Sequence, residues 1–233
     1  MKNLLYRILS IVKVVALIVL VLVLNVMPVL ASAMQRRVGG PIFVWYALAL
    51  VVQLVSLVLL YRLYRKQEPS LLPTYSWKGL DWRLIGLAVI LMRVWAVIGT
   101  QLVRFLLHQA STANDQAIMG FLSQANNQVL VFYTLFTISI LGPIIEELVF
   151  RGFLLHYWFK KPFGWIPMCV SSLIFAIPHV THLLEIIVYF PLGIILYRVF
   201  ERRRNLHNSI MTHVMNNSFV SVLFLLLYLA GQL

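Results

Sequence analysis

The chain has 233 residues, 61% of them hydrophobic and 11% charged, with a mean hydropathy of +0.90. No soluble domain needs that much apolar surface, so the composition points to a multi-pass membrane protein, and long unbroken apolar runs exclude the alternating pattern of a barrel. The net charge of +12 is spread over helix ends rather than gathered in one domain, which suits anionic lipid at the cytoplasmic face and argues against a nucleic-acid partner.

Seven apolar spans are predicted, at about 8–31, 41–61, 84–108, 128–150, 163–180, 183–200 and 207–231, each near the ~20 residues that a spanning helix requires. The expected fold is therefore an all-α, polytopic transmembrane bundle. With the N-terminus inside, the inner segments hold Lys2 and Arg7, then Arg62, Arg65, Lys66, Lys78 and Arg83, then Arg151, Lys160 and Lys161, then Arg198, Arg202, Arg203 and Arg204. Only Arg36 and Arg37 fall outside, and the loop from His108 to Gln128 has no Lys or Arg. That asymmetry predicts an N-inside, C-outside topology in a bacterial plasma membrane.

The first span has a rival reading. Lys2 and Arg7, a long apolar core, Pro28 and Ala31-Ser32-Ala33 resemble a cleavable secretory signal, although the run is long for one and Arg36-Arg37 would hinder export. The segment Gln67–Trp82, with Pro69 and Pro73, is the one sizeable cytoplasmic loop expected. It divides a two-span region, 1–82, from a five-span region, 83–233. In the third span Arg93 and Arg104 share a helix face, touching a substrate carboxylate, pairing with an acidic side chain or snorkelling to headgroups. The lone Cys169 reads as a small buried hydrophobe.

Chemistry enters with six polar residues in the apolar second half. An ionisable side chain at the bilayer centre costs at least ~2.5–3.5 kcal/mol, so such residues are rare and usually functional. Glu147 and Arg151 are i,i+4 neighbours and can pair, whereas Glu146 points ~100° away and stays available. Phe175 and His179 have the same spacing, as do His213 and Asn217. Each group has a plainer reading: a charged helix end, a boundary histidine, or helix–helix glue worth ~0.6–2 kcal/mol. Depth favours the joint reading. Measured from the inner turns at 1.5 Å per residue, Glu146, His179 and Asn217 lie at roughly 21, 25 and 20 Å, with His213 a turn lower at roughly 13 Å.

These residues, as EExxxR (Glu146, Glu147, Arg151), FxxxH (Phe175, His179) and HxxxN (His213, Asn217), resemble the CPBP family of intramembrane proteases. That family includes type II CAAX prenyl endopeptidases and bacteriocin-processing or self-immunity proteins. The flanking FRGFL, PLGIILYRVF and NSIMTHVMNNSF fit as well, and the resemblance covers roughly 130–230. It implies that Glu146, assisted by His179, activates a water. His213 and Asn217 would bind the oxyanion, with Glu147 and Arg151 orienting the others. It leaves open a competing mechanism with a divalent metal such as zinc on Glu146, His179 and His213; the lack of an HExxH motif slightly favours the metal-free version.

Two functions follow. The first is an endopeptidase acting on a peptide or protein substrate in or near the membrane, with a role in bacteriocin processing or self-immunity by family analogy. The second is a non-enzymatic immunity or interaction protein of the same fold. A transporter would show paired repeats, and none is seen.

Overall fold

The computed structural model describes residues 2–66, 79–125 and 127–232. Among them, six helices are long and apolar enough to cross a membrane. In chain order the helices are α1 (Lys2–Asn25), α2 (Met27–Val38), α3 (Ile42–Arg65), α4 (Trp82–Leu107) and α5 (Ala113–Ser123), then α6 (Gln128–Trp158). α7 (Trp165–Ala176) runs into a 3₁₀ turn (Ile177–His179), and α8 (Ile186–Arg203) and α9 (Leu206–Leu229) complete the bundle. The span expected at 163–180 is the short one, an apolar helix over Trp165–His179. Apart from its last residues, the loop expected at Gln67–Trp82, Lys78 included, lies outside the described residues.

Side-chain caps start several helices. Asp81 accepts from Leu84 N at 3.0 Å, Asn127 from Leu130 N at 2.8 Å and Asn205 from His207 N at 2.9 Å. Each satisfies an amide that the first helical turn leaves without a carbonyl. α8 lies at the centre, packed on α7 and α4, and α9 packs on α4 and α6. Gly193 lets α8 approach α7 closely, since a Cβ there would stand 2.9 Å from the Cα of Ser172. Small residues of this kind let helix backbones meet where lipid supplies no hydrophobic drive between helices.

Two prolines leave a backbone carbonyl without its partner, and a carboxamide from another helix fills each gap. Pro28 has no N–H for Leu24 O, and α1 gives way to α2 there. Nε2 of Gln53, fully buried in α3, donates to Leu24 O at 2.8 Å, while Tyr133 donates its hydroxyl to Gln53 Oε1 at 2.7 Å. Pro143 sits inside α6, which stays continuous because a π turn over Thr137–Leu141 precedes it. Gly142 N bonds Thr137 O and Pro143 has no hydrogen to give, so Ile138 O accepts from Nδ2 of Asn217 in α9 at 3.0 Å. In the hydrocarbon region such repairs are what make an interrupted helix tolerable.

Candidate active site

Both glutamates occupy a six-residue α segment (Gly142–Glu147) between the first π turn and a second one over Leu148–Phe153. π turns inside α-helices often mark functional sites, because the extra residue re-aims the side chains that follow. Here the two carboxylates diverge. Glu147 is fully buried and bonds Nη1 of Arg151 at 2.9 Å. Arg151 is also fully buried; its Nη2 donates to Gly193 O at 3.0 Å, and its guanidinium lies 4.7 Å over the ring of Phe175.

Glu146 turns the other way, into a cavity of about 380 Å³ within the bundle, and His179, His213, Asn216 and Asn217 line the same cavity. Its Oε1 accepts from Nδ2 of Asn25 at 2.6 Å. Among the described residues its Oε2 has no hydrogen-bond partner, and it faces two imidazoles, Nε2 of His213 at 3.8 Å and Nε2 of His179 at 3.9 Å.

Neighbours fix both ring tautomers. Nδ1 of His179 is 2.9 Å from the carbonyl of Phe175, and Nδ1 of His213 is 3.1 Å from Oε1 of Glu147. A carbonyl and a carboxylate only accept, so each Nδ1 carries the hydrogen and each Nε2 presents either a lone pair or a second proton to Glu146. Each Nε2 stands less than 4 Å from Oε2, and two acceptors that close repel unless a proton or a water stands between them. His179 is further held by stacking on Tyr189, whose hydroxyl bonds Thr112 at 2.8 Å.

As arranged, the three atoms do not fit a metal ion. Ligands of a tetrahedral zinc stand roughly 3.3 Å apart, from bond lengths near 2.0–2.1 Å, whereas Glu146 Oε2 is 3.8 and 3.9 Å from the two nitrogens. Among the described residues no group of three or more His, Cys, Asp or Glu side chains is arranged to hold one.

The remaining polar residues divide. Arg93 lines the cavity and its Nε donates to Asn216 Oδ1 at 2.7 Å, while Asn216 Nδ2 donates to Asn217 Oδ1 at 2.9 Å. Arg104, on the same helix, is exposed and lies away from the cavity.

Residues 128–219 match the model of the family described as Type II CAAX prenyl endopeptidase Rce1-like. The chain carries an Rce1-like domain. Among curated proteins it is similar to the membrane-embedded CAAX protease MroQ of Staphylococcus aureus (strain USA300), at 32% identity over 144 residues covering 57% of this chain and 58% of MroQ. It is 28% identical over 110 residues to YdiL of Bacillus subtilis (strain 168), covering 47% of this chain and 42% of YdiL. With the UPF0177 protein YaiF of Lactococcus lactis subsp. lactis (strain IL1403) it shares 30% over 154 residues, 62% of this chain and 66% of YaiF. The chain thus spans about half the length of the first curated relatives it matches. No solved structure matches it.

The Rce1-like domain contains Glu146, Glu147, Arg151, His179, His213 and Asn217, but not every polar group at the cavity. Asn25 lies more than 100 residues upstream of it. Sequence reasoning passed over Asn25, Tyr189 and Glu185, and it read Asn216 as pointing away from the face of His213 and Asn217, whereas Asn216 lines the same cavity. Glu185 is fully buried and its carboxylate accepts from the backbone of Ala113 (2.6 Å), Thr181 (2.9 Å) and His182 (3.2 Å), tying α5 to the loop after His179. Asn25 carried a usable signal, as a lone carboxamide in an apolar span.

Proposed function

We propose that this protein is an intramembrane endopeptidase that hydrolyses a peptide bond of a peptide or protein substrate inside the bundle cavity. The observation that carries this reading is the pair of imidazole Nε2 atoms converging on the partnerless Oε2 of a buried glutamate. Glu146, Glu147 and Arg151 sum to one negative charge when ionised. On this reading His213 must carry a hydrogen on each ring nitrogen, Nδ1–H to Glu147 and Nε2–H toward the cavity.

The chemistry then follows. A water between Glu146 Oε2 and His179 Nε2 gives its proton to Glu146 as its oxygen attacks the substrate carbonyl carbon. The carbonyl π electrons become an oxyanion, which accepts from Nε2–H of His213 and from the second Nδ2 hydrogen of Asn217, the first being committed to Ile138 O. A single preorganised donor of this kind is worth ~2.7–4 kcal/mol. Collapse of the intermediate breaks the C–N bond, and the leaving nitrogen takes the proton from Glu146. Glu147 and Arg151 orient His213 rather than touching the reacting atoms. This reading assigns no step to a metal.

Region 83–233 would carry the protease core, behind a two-span region 1–82. The basic residues favour an N-inside, C-outside orientation in a bacterial plasma membrane, with anionic lipid at the cytoplasmic face. A role in bacteriocin processing or self-immunity agrees with this reading. The other function, a membrane immunity protein that acts by binding alone, needs no glutamate between two histidines.

The test is cleavage of a membrane-inserted peptide library by the full chain in proteoliposomes, read by mass spectrometry. Glu146→Gln and His213→Ala should each abolish cleavage at unchanged protein level. Full cleavage by Glu146→Gln overturns the mechanism, and an inert wild-type chain that still binds peptide supports the binder.

A further inference from the structure

The strongest unassigned contact at the site comes from a helix outside the Rce1-like match. Nδ2 of Asn25, the last residue of α1, donates to Glu146 Oε1 at 2.6 Å. It is the one hydrogen bond that the Glu146 carboxylate makes to protein among the described residues. The terminal torsion of a glutamate is broad and nearly two-fold, so an unheld carboxylate presents either oxygen to the cavity. Fixing Oε1 removes that freedom and leaves Oε2 alone between His179 and His213.

The surroundings are built for this contact. Asn25 is the last residue of α1, just before Val26, whose ψ of 8° leaves the helical range, and three residues before Pro28. Gln53 holds that interruption by bonding the neighbouring Leu24 O at 2.8 Å. Opposite, Gly142 makes room: a Cβ there would stand 2.9 Å from Asn25 Oδ1. A broken helix, a buried glutamine and a glycine thus cooperate in placing one carboxamide.

We propose that Asn25 is a positioning residue for Glu146, so that the N-terminal span completes the active site of the C-terminal domain. This rests on the endopeptidase reading above, and its role is distinct from helix–helix glue. Glue would contribute to stability and leave turnover intact. Positioning acts on turnover, because a general base misplaced by about 1 Å costs on the order of 10²-fold in rate.

The experiment compares Asn25→Leu, which keeps approximate shape without a donor, Asn25→Asp, which sets an acceptor against the carboxylate, and Asn25→Gln, which keeps the amide. All are made in the full chain in proteoliposomes, with thermal unfolding measured alongside. Expected is a fall in kcat of roughly 10- to 100-fold for Asn25→Leu at unchanged KM. Asn25→Asp should fall further, and Asn25→Gln should recover part of the loss. Unchanged kcat in Asn25→Leu and Asn25→Asp, while Glu146→Gln is dead, overturns the positioning role and leaves the endopeptidase intact. If Glu146→Gln still cleaves, the underlying mechanism fails instead. A loss of folded protein that tracks the loss of activity, with no recovery in Asn25→Gln, assigns Asn25 to packing and also overturns the proposal.

Discussion

Asn217 donates to the carbonyl of Ile138 at 3.0 Å, the carbonyl that Pro143 leaves without a helical partner. One side chain therefore closes a defect in α6 and stands at the edge of the cavity. Losing a hydrogen-bond partner for a buried carbonyl costs ~1–3 kcal/mol. Asn217→Ala should lower stability by about that amount and also reduce kcat. Adding Pro143→Ala restores a backbone N–H near the orphaned carbonyl. The double variant should regain much of the unfolding temperature in detergent while kcat stays low. Recovery of both would make Asn217 purely structural.

Much of the site was legible because lipid-facing sequence makes polar residues conspicuous. Glu146, His179, His213 and Asn217 stand out against apolar spans, and all four line one cavity. The depth argument set His213 a turn below the others, an offset that its long side chain and that of Glu146 can bridge, with Nε2 3.8 Å from Oε2. That arithmetic assumed straight α-helices, and two π turns flank Glu146. Pro143 illustrates the same gap: a proline ordinarily kinks or ends a helix, whereas the π turn and Asn217 let α6 run through. Asn25 and Gln53 carry no motif, and their partners lie 121 and 29 residues away. Only packing reveals such pairings.

The N-terminal end of α4 supplies a pH-dependent contribution. The carboxyl of Asp81 is held below the usual carboxylate range by the N–H of Leu84 and then by Arg203, whose Nε donates at 2.8 Å. A lowered folded value means that its stabilising effect is complete above the unfolded value of about 3.9 and fades as pH falls through the folded one. The unfolding temperature should therefore hold from neutral pH to about 4 and decline below it. Asp81→Asn should start lower at pH 7 and decline less. The difference should be small and shrink in high salt, as for any exposed pair.

Donor spacing predicts the response to chelators. Glu146 Oε2 stands 3.8 and 3.9 Å from the two imidazole nitrogens, wider than ligands that share a tetrahedral ion. Peptide cleavage in proteoliposomes should be unchanged after prolonged treatment with EDTA or phenanthroline. Loss of activity restored by zinc, but not by buffer, would show that a metal draws the three side chains together.

The Glu147–Arg151 pair separates stability from turnover most cleanly. Both residues are fully buried, and Glu147 also bonds Nδ1 of His213 at 3.1 Å. Arg151→Met leaves an uncompensated carboxylate inside the bundle and should cost ~3–5 kcal/mol, read as a large drop in unfolding temperature. Removing both charges with Glu147→Leu and Arg151→Met eliminates that penalty, since apolar replacement of a buried pair is often neutral. Stability should then return. Cleavage should not, because His213 loses the acceptor that holds its Nδ1–H and orients the ring. If the double variant cleaves at the wild-type rate, the orienting role of Glu147 is wrong and the pair serves folding alone.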